Sequence, residues 1–189
     1  LGYRGPELLF RAVLTVRASA RKPAFFKRAI DLGCGTGLAA TAFAKEVDHF
    51  TGIDLSPRMI ERARLAGFYA ELEVADMVHG LRSKPDASAD LILAADAIVY
   101  VADIAAVLAE VRRVLMAGGL VAFTTETHAG EGVIIGEGLR YCLFYQSDAS
   151  DDLLCVDLGG LSIIKKRISI YSFDYTASTG RILSVVCSD

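Results

Sequence analysis

The chain has 189 residues, 20 Lys and Arg against 23 Asp and Glu, a net charge of −3 and a hydrophobic fraction of 53%. That length suits one domain around one core, and the near balance of charge gives no whole-chain case for nucleic acid or a membrane surface as partner. The most apolar region, 90–110, is interrupted by Asp96 and Asp103, which excludes a membrane span there.

Residues 6–20 read as a helix: Pro6 suits its first position, Leu8, Leu9, Ala12, Val13 and Val16 share one face, and Arg21-Lys22-Pro23 ends it. Ala29 to Leu32 is a short apolar run ending in glycines, a buried strand. Leu38 to Val47 is Ala-rich and free of breakers, a helix; Phe50 to Leu55 is a second strand. Ser56-Pro57 opens another helix and Gly67 closes it, before a third strand over 68–74. Ser83 to Ser88 forms a turn, and Asp90 to Ala95 a fourth strand. Asp103 caps the clearest helix, with Ile104, Val107, Leu108, Val111, Val114 and Leu115 as its stripe; Gly118-Gly119 ends it ahead of a fifth strand, 120–125. Further on, 150–158 reads as a short helix, and 161–173 with 182–187 as a hairpin.

Strands alternating with helices predict a doubly wound, mostly parallel sheet covered on both faces, with ligands bound outside the carboxyl ends of the strands. The loops there carry the chemistry. Asp31-Leu-Gly33-Cys34-Gly35-Thr-Gly37 spaces its glycines G-x-G-x-G, whereas a nicotinamide site prefers G-x-G-x-x-G. Glycines let a ligand approach closely, and Asp31 at the head suits a cationic amine better than a pyrophosphate. S-adenosylmethionine carries such an ammonium. Asp54, ending the second strand, suits a ribose diol, since Ser56 is the better helix cap. Asp76 and the backbone N–H of Met77, after the third strand, suit an adenine edge; Met59 reads first as core and second as an adenine contact.

These segments, with Gly52-Ile-Asp54-Leu-Ser56, Asp90-Leu-Ile-Leu-Ala-Ala-Asp96 and Leu115-Met-Ala-Gly118-Gly119, resemble the class I S-adenosylmethionine-dependent methyltransferase family over residues 29–127. The resemblance implies a Rossmann-like three-layer sandwich whose seven-stranded sheet ends in an antiparallel hairpin. It implies one domain, 1–189: a helical cover over 1–28, a cofactor-binding core over 29–127, and a helix and hairpin over 128–189. It places Asp31 and Gly33, Cys34, Gly35 and Gly37 at the methionyl end, Asp54 at the ribose, Leu55, Asp76 and Met77 at the adenine, and Ala95 and Asp96 beside the transferred methyl.

For the acceptor, Asp96, Tyr100, His128 and Tyr141 are the polar groups expected near the mouth, each also readable as structural. The loop after the fourth strand, Ala95-Asp96-Ala97-Ile98, lacks the Asn/Asp-Pro-Pro-aromatic motif of nucleic-acid amino methylation and the paired Glu of arginine methylation. Glu126-Thr127-His128 lacks the Asp-Asn pair of catechol-type metal sites, so no metal is expected, and Cys34 reads as a filler. The expectation is methyl transfer to oxygen or nitrogen of a small molecule, with a protein acceptor as the other possibility, giving S-adenosylhomocysteine. A non-catalytic cofactor-binding scaffold and a nucleotide-dependent oxidoreductase stay open. Cys34, Cys142, Cys155 and Cys187 are too sparse for a disulfide framework, and Arg4, Glu7, Arg11 and Arg17 break any secretory apolar run, so a cytoplasmic monomer or homodimer is expected. The basic run Arg4, Arg11, Arg17, Arg21, Lys22, Lys27 and Arg28 reads as a solvated helix face and linker, or as a dock for an acidic partner.

Overall fold

The computed structural model describes residues 5–102, 104–128, 133–135, 141–144, 155–156, 163–164 and 180–186. In chain order these form α1 (Gly5–Ser19), β1 (Phe26–Leu32), α2 (Leu38–Ala42), β2 (Val47–Asp54), α3 (Pro57–Ala66), β3 (Glu71–Val74), α4 (Met77–Arg82) and β4 (Ala89–Ala94). A single 3-10 turn (Ile98–Tyr100), α5 (Ile104–Val114), β5 (Leu115–His128), β6 (Val133–Ile135) and β7 (Tyr141–Phe144) follow, then β8 (Cys155–Val156), β9 (Ile163–Ile164) and β10 (Gly180–Val186).

The main sheet runs β3-β2-β1-β4-β5-β7-β6, with β10 antiparallel on β5. From β3 to β5 every pairing is parallel. The chain winds outward through β2 and β3, then returns to the other side of β1 with β4. The strand order therefore reverses between β1 and β4, the place where open α/β sheets bind ligands.

Side-chain alternation along the strands divides the core in two. Ile30, Leu32, Val121 and Phe123 face α4 and α5, where Leu81, Val107, Val111 and Val114 are buried. Ala29, Leu91, Leu93, Leu120 and Ala122 face α1 and α2, meeting Leu9, Val13, Ala40 and Phe43. This is the expected layering of helices on both faces of a Rossmann-like sheet. Phe10 and Phe43 meet edge to face at 4.9 Å and help seat α1.

Several boundaries differ from the expected ones. β1 begins at Phe26 rather than Ala29, because the Asp90 carboxylate accepts hydrogen bonds from the Lys27 and Arg28 N–H groups at 2.8 and 2.9 Å. A side chain there extends the ladder through residues whose own side chains point to water. The helix expected to Val47 stops at Ala42: Phe43 leaves helical geometry, Glu46 N–H closes a turn onto the Phe43 carbonyl, and β2 starts at Val47. Gly118-Gly119 does not separate α5 from a strand, since β5 starts at Leu115 and bulges between its pairings with Ala89 and Leu91, Gly118 holding φ 72°.

Among the described residues the main sheet has eight strands rather than the expected seven. Among the described residues the expected C-terminal hairpin is not seen: β10 lies on β5, while Ile163–Ile164 pairs with Cys155–Val156 in a separate small sheet. Cys155–Val156 is thus extended rather than part of the helix expected over 150–158; the other residues of that helix, and most of 161–173, lie outside the described residues. Among the described residues no helix is long and apolar enough to cross a membrane. Arg17 of the basic run is committed internally: it stacks over the Phe26 ring at 4.8 Å and donates to the Pro23 carbonyl, fixing the turn from α1 to β1.

Candidate cofactor site

The carboxyl ends of β1, β2 and β4 bring the predicted loops together. Gly33 and Cys34 both donate their N–H to the Ile53 carbonyl, at 2.8 and 3.0 Å, so the turn after β1 folds back against the end of β2. Gly33, Gly35 and Gly37 hold φ of 67°, 53° and 92°, the left-handed region that a side chain disfavours. Gly37 is the residue from which α2 starts. Across the switch point, a Cβ on Gly33 would stand 2.5 Å from the Cβ of Ala97 and 3.4 Å from the Met77 Cε. The loop after β1 thus touches both the loop after β4 and the start of α4.

Two carboxylates meet here. Asp31 is 1% exposed, and its Oδ2 accepts from the Tyr69 hydroxyl at 2.7 Å. Burial pushes the Asp31 carboxyl up to about 7; the Tyr69 hydrogen bond pulls against that rise and neighbouring Asp54 adds to it. Asp54 is half-buried and accepts from Gly35 N–H through Oδ2 and from Ser56 N–H through Oδ1, both at 2.8 Å. Asp54 therefore does brace the start of α3, and Ser56 makes no side-chain cap bond, contrary to the expectation that Ser56 would cap. Its half-exposed carboxylate still lies where the glycine loop meets β2.

The remaining positions vary. Leu55, next to Asp54, is 73% exposed. Met59 is half-buried in the first turn of α3. Asp76 caps α4, a helix that the sequence reading does not include: its Oδ1 accepts from His79 N–H at 2.9 Å, and Met77 is the first helical residue. Ala95 and Asp96 follow β4; Asp96 has φ 55°, and its N–H donates to the Thr124 hydroxyl of β5 at 2.6 Å. Tyr100 ends the 3-10 turn and is 60% exposed. His128 and Tyr141 lie on β5 and β7, opposite Phe144 and Ile135, and their side chains are outside the described residues. Burial, with Asp31 and Asp54 nearby, pushes the Cys34 thiol well up, which fits a filler and not a nucleophile. Among the described residues no cluster suited to a metal ion occurs.

Sequence reasoning missed Tyr69. Its ring lies 2.9 Å from where a Cβ on Gly52 would be and 3.2 Å from one on Gly37. The signal was present: a tyrosine just past the Gly67 helix stop, entering a strand beside one whose Gly52 leaves room for a ring.

A parallel sheet with a glycine-rich turn and two acidic side chains at its switch point is an arrangement of the Rossmann-like α/β class. Comparison with known proteins narrows that class. Residues 30–123 match the methyltransferase domain family. The ubiquinone biosynthesis O-methyltransferase of Xylella fastidiosa (strain 9a5c) is 33% identical over 121 residues, 61% of this chain and 49% of that protein. The protein of the same name from Xanthomonas oryzae pv. oryzae (strain PXO99A) is 30% identical over 127 residues, 64% of this chain and 53% of that one. Among solved structures, the Bacillus subtilis YcgJ protein superposes with a TM-score of 0.52 at 24% identity, covering 62% of this chain and 51% of that one. S-adenosylmethionine-bound CalS10, an amino pentose methyltransferase from Micromonospora echinaspora, gives the same TM-score and identity over 65% of this chain and 51% of its own. The chain spans about half the length of the curated relatives it matches. The chain is thus similar, over its cofactor-loop half, to methyltransferases.

Proposed function

We propose that this chain binds S-adenosylmethionine at the β1–β4 switch point and transfers its methyl group to an oxygen or nitrogen of a small molecule. The observation that carries the proposal is the pairing of buried Asp31 with half-buried Asp54 around a turn of left-handed glycines. The ribose and ammonium of the cofactor call for two acidic acceptors, and the sulfonium for a site without a competing cation. The residues present fit: Asp31 is an anionic acceptor for the ammonium, Gly33, Cys34, Gly35 and Gly37 supply a side-chain-poor cradle, and Asp54 offers its carboxylate to the ribose. Leu55 and Met59 are placed for the adenine faces. Because Asp76 spends one oxygen on its helix, the Met77 N–H and the second Asp76 oxygen are left for the adenine edge. Ala95 and Asp96 border the methyl.

Bound cofactor supplies an already activated methyl group. What this chain contributes is alignment and exclusion of water. Asp96, in a left-handed turn after β4 with its N–H bound to the Thr124 hydroxyl, is the proposed acceptor-side carboxylate; Tyr100, His128 and Tyr141 are the other proposed acceptor-side groups. A proton on the acceptor is taken by one of these or lost to water before transfer. The names of the curated relatives favour oxygen as the acceptor atom. A protein acceptor is the second class of substrate, and the chain works in the cytoplasm as a monomer or homodimer.

The test is calorimetric binding of S-adenosylhomocysteine and of NAD, followed by release of S-adenosylhomocysteine from S-adenosylmethionine across a panel of phenols and amines. Binding of the thioether but not NAD, with turnover on one acceptor, is the expected result. Binding without turnover on any acceptor means a scaffold; preference for NAD means an oxidoreductase. Asp54→Ala weakens binding by at least about tenfold, the loss of a charged acceptor.

A further inference from the structure

Tyr69 belongs to the loop between α3 and β3, outside every motif that carries the family resemblance. Its half-buried ring is fixed on three sides. Phe50 meets it edge-on at 5.7 Å, and the two glycine positions, 37 and 52, leave the space it fills. From that seat the hydroxyl reaches one oxygen of Asp31, 2.7 Å away. Among the described residues no other donor reaches the Asp31 side chain, so its second oxygen is buried with its acceptor capacity free. A carboxylate taken out of water in this way needs a donor or a cation, and one oxygen has neither.

We propose that Tyr69 is a positioning residue of the cofactor site: its hydroxyl holds one Asp31 oxygen so that the other faces the cofactor ammonium, and that bond favours the charged carboxylate. The proposal rests on the cofactor reading given above. The titratable groups facing Asp31 are Tyr69 itself, Asp54 and Cys34; α2, Leu-Ala-Ala-Thr-Ala, contributes none. Asp54 and burial disfavour the charged form of Asp31, and Tyr69 is the one partner that favours it. Binding of a cationic amine beside Asp31 therefore weakens as pH falls through neutrality, and removal of the Tyr69 hydroxyl moves that loss to higher pH.

The experiment measures S-adenosylhomocysteine affinity between about pH 5.5 and 8.5 for the wild type, Tyr69→Phe and Asp31→Asn. Tyr69→Phe is expected to bind about tenfold more weakly at neutral pH, with the midpoint of its pH profile raised by about one unit and the deficit shrinking towards pH 8.5. Asp31→Asn, which keeps an acceptor for Tyr69 but cannot ionise, is expected to bind weakly with a flat profile. A Tyr69→Phe deficit equal at every pH makes the ring merely structural and overturns the proposal. So does an Asp31→Asn profile that slopes like the wild type, a result that needs no Tyr69 variant to fold. Failure of the wild type to bind at any pH rejects the cofactor reading instead.

Discussion

Replacing Gly33 with alanine probes the contact on which the site's geometry turns. Two costs apply. The residue sits at φ +67°, where an L side chain costs about 1–2 kcal/mol. The new methyl would lie 2.5 Å from the Ala97 Cβ, with the Ala97 Cα at 3.7 Å, so the loops after β1 and β4 must separate. Overpacking of this kind costs about 1–3 kcal/mol more, which makes about 2–5 kcal/mol in all. Gly67 is the internal control: its φ is +76°, and nothing lies within 4 Å of an added Cβ. Gly67→Ala should lose only the backbone share, about 1–2 kcal/mol. Urea denaturation followed by circular dichroism gives both values. Adding Ala97→Gly to Gly33→Ala should restore the packing share and leave the backbone share. If Gly33→Ala falls within about 0.5 kcal/mol of Gly67→Ala, or if Ala97→Gly restores nothing, the two loops do not meet as described and the reasoning fails.

Asp31 sets a pH dependence of stability. Its carboxyl titrates near 7 when folded against 3.8 when exposed, so in that interval the folded state binds more protons than the unfolded. Stability from this group is thus fully present below about pH 4 and declines as pH rises to about 7, by at most about 4 kcal/mol; Asp31→Asn should remove the decline in a urea titration at several pH values, and an unchanged slope would count against burial of the charge. Cys34, buried and with its thiol pushed up, should remain unlabelled by iodoacetamide at pH 8 in the native protein, as peptide mass spectrometry reads directly; rapid labelling would mean that the loop opens. Leu9, fully buried on α1, should cost about 2–5 kcal/mol on change to alanine, measured by denaturant midpoint, and a loss under about 1 kcal/mol would mean that α1 is not part of the core.

Much of this architecture is legible in the chain itself, because apolar runs and glycine stops report local geometry. The α3 boundaries follow from Pro57 and Gly67, and the glycine turn with Asp31 and Asp54 follows from residue type and spacing. What escapes is whatever depends on contacts distant in sequence. Asp90 extends β1 through a bond spanning more than sixty positions, and no local pattern marks Lys27 or Arg28 as strand. Asp76 caps a helix that Met77-Val-His-Gly-Leu-Arg, with an internal glycine, advertises poorly; Gly80 is there because a Cβ would meet Ile53 at 2.7 Å. The N-cap role of Asp76 and the brace that Asp54 gives Ser56 show that both carboxylates serve the scaffold, beside the ligand roles proposed for them. Residue type alone does not resolve that division.

The bulge at the start of β5 sets how far the central strand reaches. Past it, Leu120 and Ala122 point to one core and Val121 and Phe123 to the other, and the next residue, Thr124, arrives beside the Asp96 N–H. A slip of one residue would exchange those faces and carry Thr124 out of range. Residues 116–119 therefore act as slack in a cable: length gained or lost there can be absorbed before the strand engages its neighbour. Related chains could vary in that short stretch while the turn after β4 stays anchored at the same height.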